Sequence, residues 1–256
     1  MIVAHRGSSG TAPENTMRAI REAVEAGADM VEIDVRLTAD HHVVVFHDHV
    51  LGRTTNGSGH IARMTRDQLV LLDAGSWRGE EFRGERIPLL DEALAWLRGR
   101  AAASIELKSA GESPERTAAM VRGVVDAVRR NGMEGATLLA SFETGLLVEA
   151  AQRAPEIVRA PILLPDDSRL PSEAAAPVGG RSVILELRQC TRARVADARA
   201  HGLVLGAYTV NDGEALDRAL RLGVGAIATN HPGAITALLA ARGSRACAPR
   251  AATCTP

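Results

Sequence analysis

Eight short apolar runs recur along this chain, near residues 2–6, 30–35, 103–108, 136–141, 158–164, 182–187, 203–209 and 226–229. Helix-like runs lie between most of them, clearest at Met17–Ala26, Leu90–Leu97, Pro114–Asn131, Glu143–Arg153, Arg192–His201, Gly213–Leu222 and Gly233–Arg242. Strands alternating with helices pair in parallel, because each helix is a crossover long enough to return the chain to the same end of the sheet. Eight such units in 256 residues predict one (β/α)8 barrel of the α/β class, occupying residues 1–242 as a single domain. The stretch 165–181, rich in Pro and Ala, reads mostly as loop. Residues 49–88 break the repeat with Gly, Arg, Thr and charged side chains. They read as a small subdomain inserted after the second strand, over the C-terminal mouth of the barrel. The Ala-, Pro- and Cys-rich stretch Gly243–Pro256 reads as a disordered tail.

Composition sets the outer bounds. An apolar content of 46% supports a substantial core, and a net charge of −1 gives no general pull toward nucleic acid or anionic membrane. Three cysteines in no pairable pattern argue against a disulfide framework. No apolar run approaches the roughly 20 residues of a membrane span. The chain opens directly on a barrel-type strand, leaving no room for a signal peptide. The expectation is a reduced, soluble, cytoplasmic protein with no nucleic-acid partner and no stable membrane anchor; oligomeric state stays open.

Lys108 is the only lysine among 30 Lys and Arg residues. A compact ammonium with three donors differs from a broad guanidinium fork, so its retention here is informative. It ends the run Ala103–Lys108, two residues after Glu106, and residues two apart share a strand face. One strand end therefore presents a carboxylate beside an ammonium, an arrangement able to hold a metal ion and a phosphate together. An exposed ion pair on an edge strand is the bland alternative. A second pair favours the site. In Val31-Glu32-Ile33-Asp34-Val35 the two acids share one face and the apolar residues the other. Acids are depleted in strands, and adjacent like charges repel unless a cation lies between them. Glu32, Asp34 and Glu106 thus make an all-oxygen site for one hard divalent cation, Mg²⁺ or Ca²⁺. No cysteine lies near these motifs, which argues against structural zinc.

Two further elements carry histidine. Met1–Gly7 reads as a short buried strand ending in His5-Arg6-Gly7, followed by Pro13-Glu14-Asn15-Thr16, where Asn15 or Thr16 caps the first helix. Val43–Asp48 reads as a second strand ending in His47-Asp48. Residues 38–42 are too few for a parallel crossover, so that strand returns as a hairpin arm. A turn centred between Asp40 and His41 pairs Asp34 with His47. His41 and His42 then fall in the turn, while His49 pairs with Glu32 and points the same way as His47.

Taken together, His5-Arg6-Gly7, Pro13-Glu14-Asn15-Thr16, Glu32-x-Asp34, His47-Asp48 and Glu106-x-Lys108 resemble the glycerophosphodiester phosphodiesterase family. So do Arg53-Thr54-Thr55-Asn56-Gly57-x-Gly59, Ile87-Pro88-x-Leu90-x-Glu92, Ser141-Phe142 and Thr209-Val210-Asn211. The resemblance runs from about residue 2 to residue 235. It ranks His47 above His49. Some positions depart. Tyr208 stands where the family usually has Trp. Asn230 stands in the late Thr-Asp-x-Pro motif, and Gly225 replaces an Asp. These read as lying outside the metal and histidine set, bearing on late-strand contacts and substrate preference.

The resemblance implies a metal-dependent hydrolysis of glycerophosphodiesters to glycerol 3-phosphate and an alcohol. Arg6 and Lys108 would contact phosphate oxygens, His5 and His47 would form the acid–base pair, and Phe142 and Tyr208 would pack on the glycerol. It leaves open whether the glycerol 2-hydroxyl or water attacks first, and which histidine is the base. A lysophospholipid-cleaving enzyme of the same superfamily and a barrel that binds without turnover are the alternatives. The first calls for an apolar cleft at the mouth. Leu69, Val70, Leu71, Leu72, Trp77 and Phe82 of the insertion would supply either that cleft or, the favoured reading, an internal mini-core. The barrel reading adds a check: His5, Arg6, Glu106, Lys108, Ser141 and Asn211 all fall at C-terminal strand ends, where active sites of this fold lie.

Overall fold

The computed structural model describes residues 1–109 and 111–243. In chain order the elements are β1 (Ile2–Ala4), α1 (Met17–Glu25), β2 (Met30–Leu37), β3 (Val43–Val45), α2 (Arg66–Leu69), α3 (Leu90–Leu97), β4 (Ala102–Leu107), α4 (Pro114–Arg130), β5 (Thr137–Ser141), α5 (Thr144–Arg153), β6 (Val158–Pro161), α6 (Pro171–Ala175), β7 (Ser182–Glu186), α7 (Arg192–Ala200), β8 (Val204–Tyr208), α8 (Gly213–Leu222), β9 (Ala226–Thr229) and α9 (Pro232–Ala241). The parallel strands run in the order β6-β5-β4-β2-β1-β9-β8-β7. A parallel bridge between Ile162 and Ile184 joins the two ends of that path. This is the expected (β/α)8 barrel, with β3 as an antiparallel arm on β2.

Strand alternation decides what faces where. Val31, Ile33, Val35, Ile105 and Leu107 are buried against the surrounding helices, in one cluster with Leu90, Leu94 and Leu97 of α3 and Val121, Val124 and Val128 of α4. Truncating one of these leucines to Ala typically costs 2–5 kcal/mol, roughly, through lost transfer energy and the cavity left behind. The intervening positions Glu32, Asp34, Ser104 and Glu106 turn to the barrel axis. Helix ends follow local chemistry. Thr16, Ser113, Thr191 and Asp212 each cap a helix by accepting a backbone N–H, and α4 adds Pro114 at its first turn and Arg129 and Arg130 at its last. Gly7, at φ +76, is obligatory: an added Cβ would meet the Ala19 backbone at 2.6 Å.

Two expectations are corrected. Within 165–181 the chain forms α6 and a 3₁₀ turn over Ala176–Val178, so that stretch is only partly loop. The hairpin register is shifted by one residue: Val35 pairs Val45, Arg36 pairs Val44 and Leu37 pairs Val43. The turn is centred on Asp40 because His41 adopts φ 63, while Thr38 Oγ1 donates to Asp40 and the Thr38 N–H donates to the His42 carbonyl. An odd-numbered turn opposes Asp34 to Phe46 rather than to His47, and the Phe46 N–H donates to the Asp34 carbonyl at 2.9 Å. Regular pairing ends at Val45, and the chain then turns His47 inward.

The insertion forms its own mini-core, as expected, with Leu69 and Leu72 in it as expected and the rest from other residues. Val44, Phe46, Leu51, Ile61, Leu69, Ala74 and Ile87 pack together, with Leu72 against them. Leu71 and Trp77 are exposed and contribute little to it. The tail expected to be disordered lies, beyond Gly243, outside the described residues.

Candidate active site

The carboxylates come from adjacent strands in register. β2 and β4 pair Glu32 with Ser104 and Asp34 with Glu106, which brings all three acids to one end of the barrel. One oxygen of each of Glu32, Asp34 and Glu106 lies within 4.8 Å of the other two. Lys108 bonds Glu106 and lies 3.3 Å from Asp34 Oδ1. Arg6 Nε lies 3.3 Å from Asp34 Oδ2, its Nη1 donates to Glu14 at 2.9 Å, and its backbone N–H donates to Glu32 Oε2 at 2.8 Å.

Glu32 Oε1 is buried with no hydrogen-bond partner, and buried Asp34 Oδ1 has only the Lys108 ammonium beside it, at 3.3 Å and outside hydrogen-bond geometry. An acceptor left as Glu32 Oε1 is costs roughly 1–3 kcal/mol unless a cation meets it. Burial, then repulsion from Asp34, pushes Glu32 up to about 8 and Glu106 up to about 7. Burial acts upward on Asp34 too, but Lys108 and Arg6 outweigh it and hold it down at about 2. Three carboxylates that repel one another, one with an oxygen that no donor reaches, fit a hard divalent cation. Glu32, Asp34 and Glu106 are the residues that would hold it.

His5 and His47 line the same cavity as Arg6, Glu32, Glu106, Lys108, Phe142 and Tyr208. Both ring Nδ1 atoms meet an oxygen: Asn230 Oδ1 at 2.7 Å for His5, Asp48 Oδ1 at 2.6 Å for His47. With an acceptor at Nδ1, each neutral ring keeps its proton there and leaves Nε2 free. Burial lowers the pKa of both, Arg6 adding to the effect, while Asn230 and Asp48 oppose it. Lys108 Nζ sits 6.0 Å over the Phe142 ring, and Phe142 is 37% exposed at the mouth. Burial, then Glu186, pushes the Tyr208 hydroxyl up to about 12, so it stays a neutral phenol.

Several supporting residues escaped sequence reasoning. Asn230 was read as lying outside the histidine set, yet it holds His5 directly. Asn211, expected at the site, acts one step further out by accepting from the Asn230 N–H at 2.8 Å. Asn15 is no helix cap; at φ 59 it is buried and clamps Asp34, donating to Oδ2 at 2.8 Å and accepting from its N–H at 3.2 Å. Arg53 reaches from the insertion to Asp48 at 2.7 Å and Glu14 at 2.6 Å, tying the partners of His47 and Arg6 together. Buried Arg36 donates to the His47 carbonyl at 2.6 Å and the Lys108 carbonyl at 3.5 Å. Its place in Glu32-x-Asp34-x-Arg36 was the available signal. Ser141 braces backbone instead, donating to the Leu107 carbonyl at 2.8 Å. His49 is corrected outward, its ring 5.8 Å from that of His60 on the exposed side.

An acidic cluster beside Arg6, Lys108 and two histidines at the C-terminal mouth of a (β/α)8 barrel suits an anionic phosphate ester held next to a cation, and comparison with known proteins agrees. Residues 5–234 match the Glycerophosphoryl diester phosphodiesterase family. A glycerophosphodiester phosphodiesterase of Caldanaerobacter subterraneus subsp. tengcongensis is 32% identical over 233 residues, covering 91% of this chain and 94% of that protein. The structure of an Oleispira antarctica phosphodiesterase in complex with the product sn-glycerol-3-phosphate superposes with a TM-score of 0.87 at 31% identity, covering 94% of this chain and 96% of that one. A glycerophosphodiester phosphodiesterase from Agrobacterium tumefaciens gives 0.81 at 35% identity, covering 92% and 98%. The chain belongs to the glycerophosphoryl diester phosphodiesterase family, and is a phosphodiesterase by that membership.

Proposed function

We propose that the protein hydrolyses glycerophosphodiesters to glycerol 3-phosphate and an alcohol, with His5 and His47 as the acid–base pair and one divalent cation as cofactor. The observation that carries this reading is the convergence of both histidines, Arg6, Lys108 and the carboxylate cluster on one cavity. The glycerol-3-phosphate product on the Oleispira relative supports the substrate class. When bound, the cation supplies neutralisation of non-bridging phosphate oxygens and of charge developing in the transition state.

The residues divide the remaining work. Arg6 and Lys108 take the phosphate oxygens, the first as a fork and the second as a point charge. Overall, the P–O bond to the leaving alcohol breaks and a bond from water oxygen to phosphorus forms. One water proton ends on the leaving alkoxide and the other is released. His5, held by an uncharged amide, stays neutral with a bare Nε2 and serves as base. His47, whose Nδ1 faces the Asp48 carboxylate, is the better holder of a proton and serves as acid. Asp48 stays ionised: against its burial, Arg53 and His47 draw it down to about 2.

The test is a coupled assay for glycerol 3-phosphate release across a headgroup panel, with and without EDTA. Release from at least one member, abolished by EDTA and restored by Mg²⁺ or Ca²⁺, is the expected outcome. No release from any member, with the cation present, overturns the reading.

A further inference from the structure

Strand β2 carries one more residue on the face of Glu32 and Asp34. Alternation puts Arg36 there, and it is buried, yet it does not line the cavity. Taking a guanidinium out of water is costly, and a carboxylate bonded to it usually offsets the cost. Among the described residues the Arg36 side chain bonds no carboxylate; its donors go to main-chain oxygen. Burial lowers its pKa, and Asp34, Asp48, Glu112 and Glu106 oppose that only through longer-range attraction.

The two oxygens it meets belong to residues of the site. Nε and Nη2 both donate to the His47 carbonyl, at 2.8 and 2.6 Å, and Nη1 reaches the Lys108 carbonyl at 3.5 Å. These carbonyls lie where the ladders on either side of β2 run out. Val35 pairs with Val45 of β3 and with Leu107 of β4, the last residue of each strand. Past Val45 the arm keeps one further bond, from the Phe46 N–H to the Asp34 carbonyl. Beyond it, the planar guanidinium supplies donors in place of another backbone rung. Its hold on His47 is double and short, and its hold on Lys108 single and long.

The same device occurs elsewhere in the chain with no site attached. Buried Arg159 of β6 donates to the carbonyls of Val178 at 2.7 Å and Ile157 at 2.6 Å, and neither residue lines the cavity. Arg36 differs in whose carbonyls it holds. With Arg36 on the His47 carbonyl and Asp48 on ring Nδ1 at 2.6 Å, that residue is fixed at both ends and its Nε2 is aimed.

We propose that Arg36 is a positioning residue for the phosphodiesterase reaction, fixing the main chain of His47 so that its ring reaches the leaving group. This rests on the reading of His47 as the acid and names the residue that aims it. Misplacing a catalytic group by about 1 Å costs roughly 100-fold in rate. Arg36 touches no reacting atom, so its removal should cost no more than removal of His47 itself.

Arg36→Met keeps much of the side-chain length and removes the fork. Efficiency is measured for wild type, Arg36→Met, His47→Ala and the double variant. The substrates are the best member of the headgroup panel and glycerophospho-p-nitrophenol, whose phenolate leaves without a proton. Arg36→Met should lose roughly 10- to 100-fold on the first and much less on the second. In the His47→Ala background it should cost less than about threefold on the first, because a residue acting through His47 has nothing left to act on. A merely structural strut would exact its full cost in both backgrounds, and that result overturns the inference. So does wild-type efficiency in Arg36→Met, or equal loss on both esters when His47→Ala spares the nitrophenyl ester. If His47→Ala itself loses equally on both, the acid assignment fails, and the double variant still decides Arg36. Should Arg36→Met lose cooperative melting, Arg36→Lys takes its place, with a smaller loss of the same pattern expected. Unfolding of both would make Arg36 a strut of the fold and overturn the inference. If wild type turns over neither ester, the phosphodiesterase reading fails. Backbone ¹⁵N relaxation at His47 then decides the hold separately: greater mobility in the variant is expected, and equal order in wild type and variant sinks it.

Discussion

His5 Nδ1 and Asn230 Oδ1 meet at 2.7 Å across 225 residues of sequence, joining the C-terminal ends of the first and last barrel strands. The other histidine of the site, His47, is held by the carboxylate of its immediate neighbour. One imidazole therefore rests on a neutral partner and the other on a charged one. Since environment separates an acid from a base, this asymmetry is the main physical difference between the two.

Asn230→Asp places a carboxylate at His5 and raises its pKa, which burial and Arg6 now lower. If His5 is the base, the acidic limb of the kcat/KM profile moves to higher pH and the alkaline limb stays put. A profile in which only the alkaline limb moves would assign His5 as the acid.

Replacing His5 or His47 with Ala should reduce turnover by roughly 10²–10⁴, the usual range for acid–base groups, with cation binding nearly intact. Single-turnover kinetics beside calorimetric cation titration checks both halves. Wild-type turnover in both variants would show the pair to be misassigned.

Glu32, near 8, and Glu106, near 7, link stability to pH and to the cation. Their folded values lie above that of an unfolded glutamate, about 4.3, so the fold favours the protonated forms. In the chelated protein that contribution is full below the unfolded value and is lost as pH rises through 7 and 8. Thermal melts in EDTA should therefore show declining stability across this window. Excess Mg²⁺ or Ca²⁺ should raise Tm most at its alkaline end. A cation effect independent of pH would contradict the carboxylate site.

Lys108→Arg preserves charge yet should be damaging. Lys108 fits between Glu106 and Asp34, and a guanidinium fork there would draw Glu106 into a bidentate pair. Losing one charged hydrogen bond to phosphate is worth roughly 1.5–3 kcal/mol, or a 10- to 150-fold drop in catalytic efficiency. Steady-state kinetics over a Mg²⁺ series should show loss in both efficiency and cation activation; parity with wild type in both would make the lone lysine an accident of composition.

Asn15→Ala removes a buried donor from Asp34 and imposes a left-handed φ on alanine. Destabilisation of roughly 1–3 kcal/mol is expected, measurable by urea unfolding. Asn15→Gly relieves the backbone part alone, so it should recover only a fraction. Complete recovery by Gly would mean that the Asp34 clamp contributes nothing.

Period-two alternation made much of the site legible. It placed Glu32 beside Asp34 and Glu106 beside Lys108 before any strand was paired, and the register of β2 with β4 then joined the two pairs. The hairpin was legible as a hairpin but not in register. A single left-handed residue, His41, shifted the pairing register by one residue, and nothing in its side chain announces that conformation. Arg36 carried a readable signal in its spacing, whereas Asn15 looked like a cap, because Asn serves both roles equally well in sequence.

The sequence by itself determined the eightfold alternation, the inward-facing acids and the lone lysine, because periodicity and residue chemistry act within a few positions. Tertiary structure decided that Asn230 would hold His5, that Arg53 would bridge Glu14 and Asp48, and that Arg36 would meet the His47 and Lys108 carbonyls. Those depend on strand register and on where the chain leaves each ladder. No local window holds that information; it exists only once β9 lies against β1 and both β3 and β4 lie against β2.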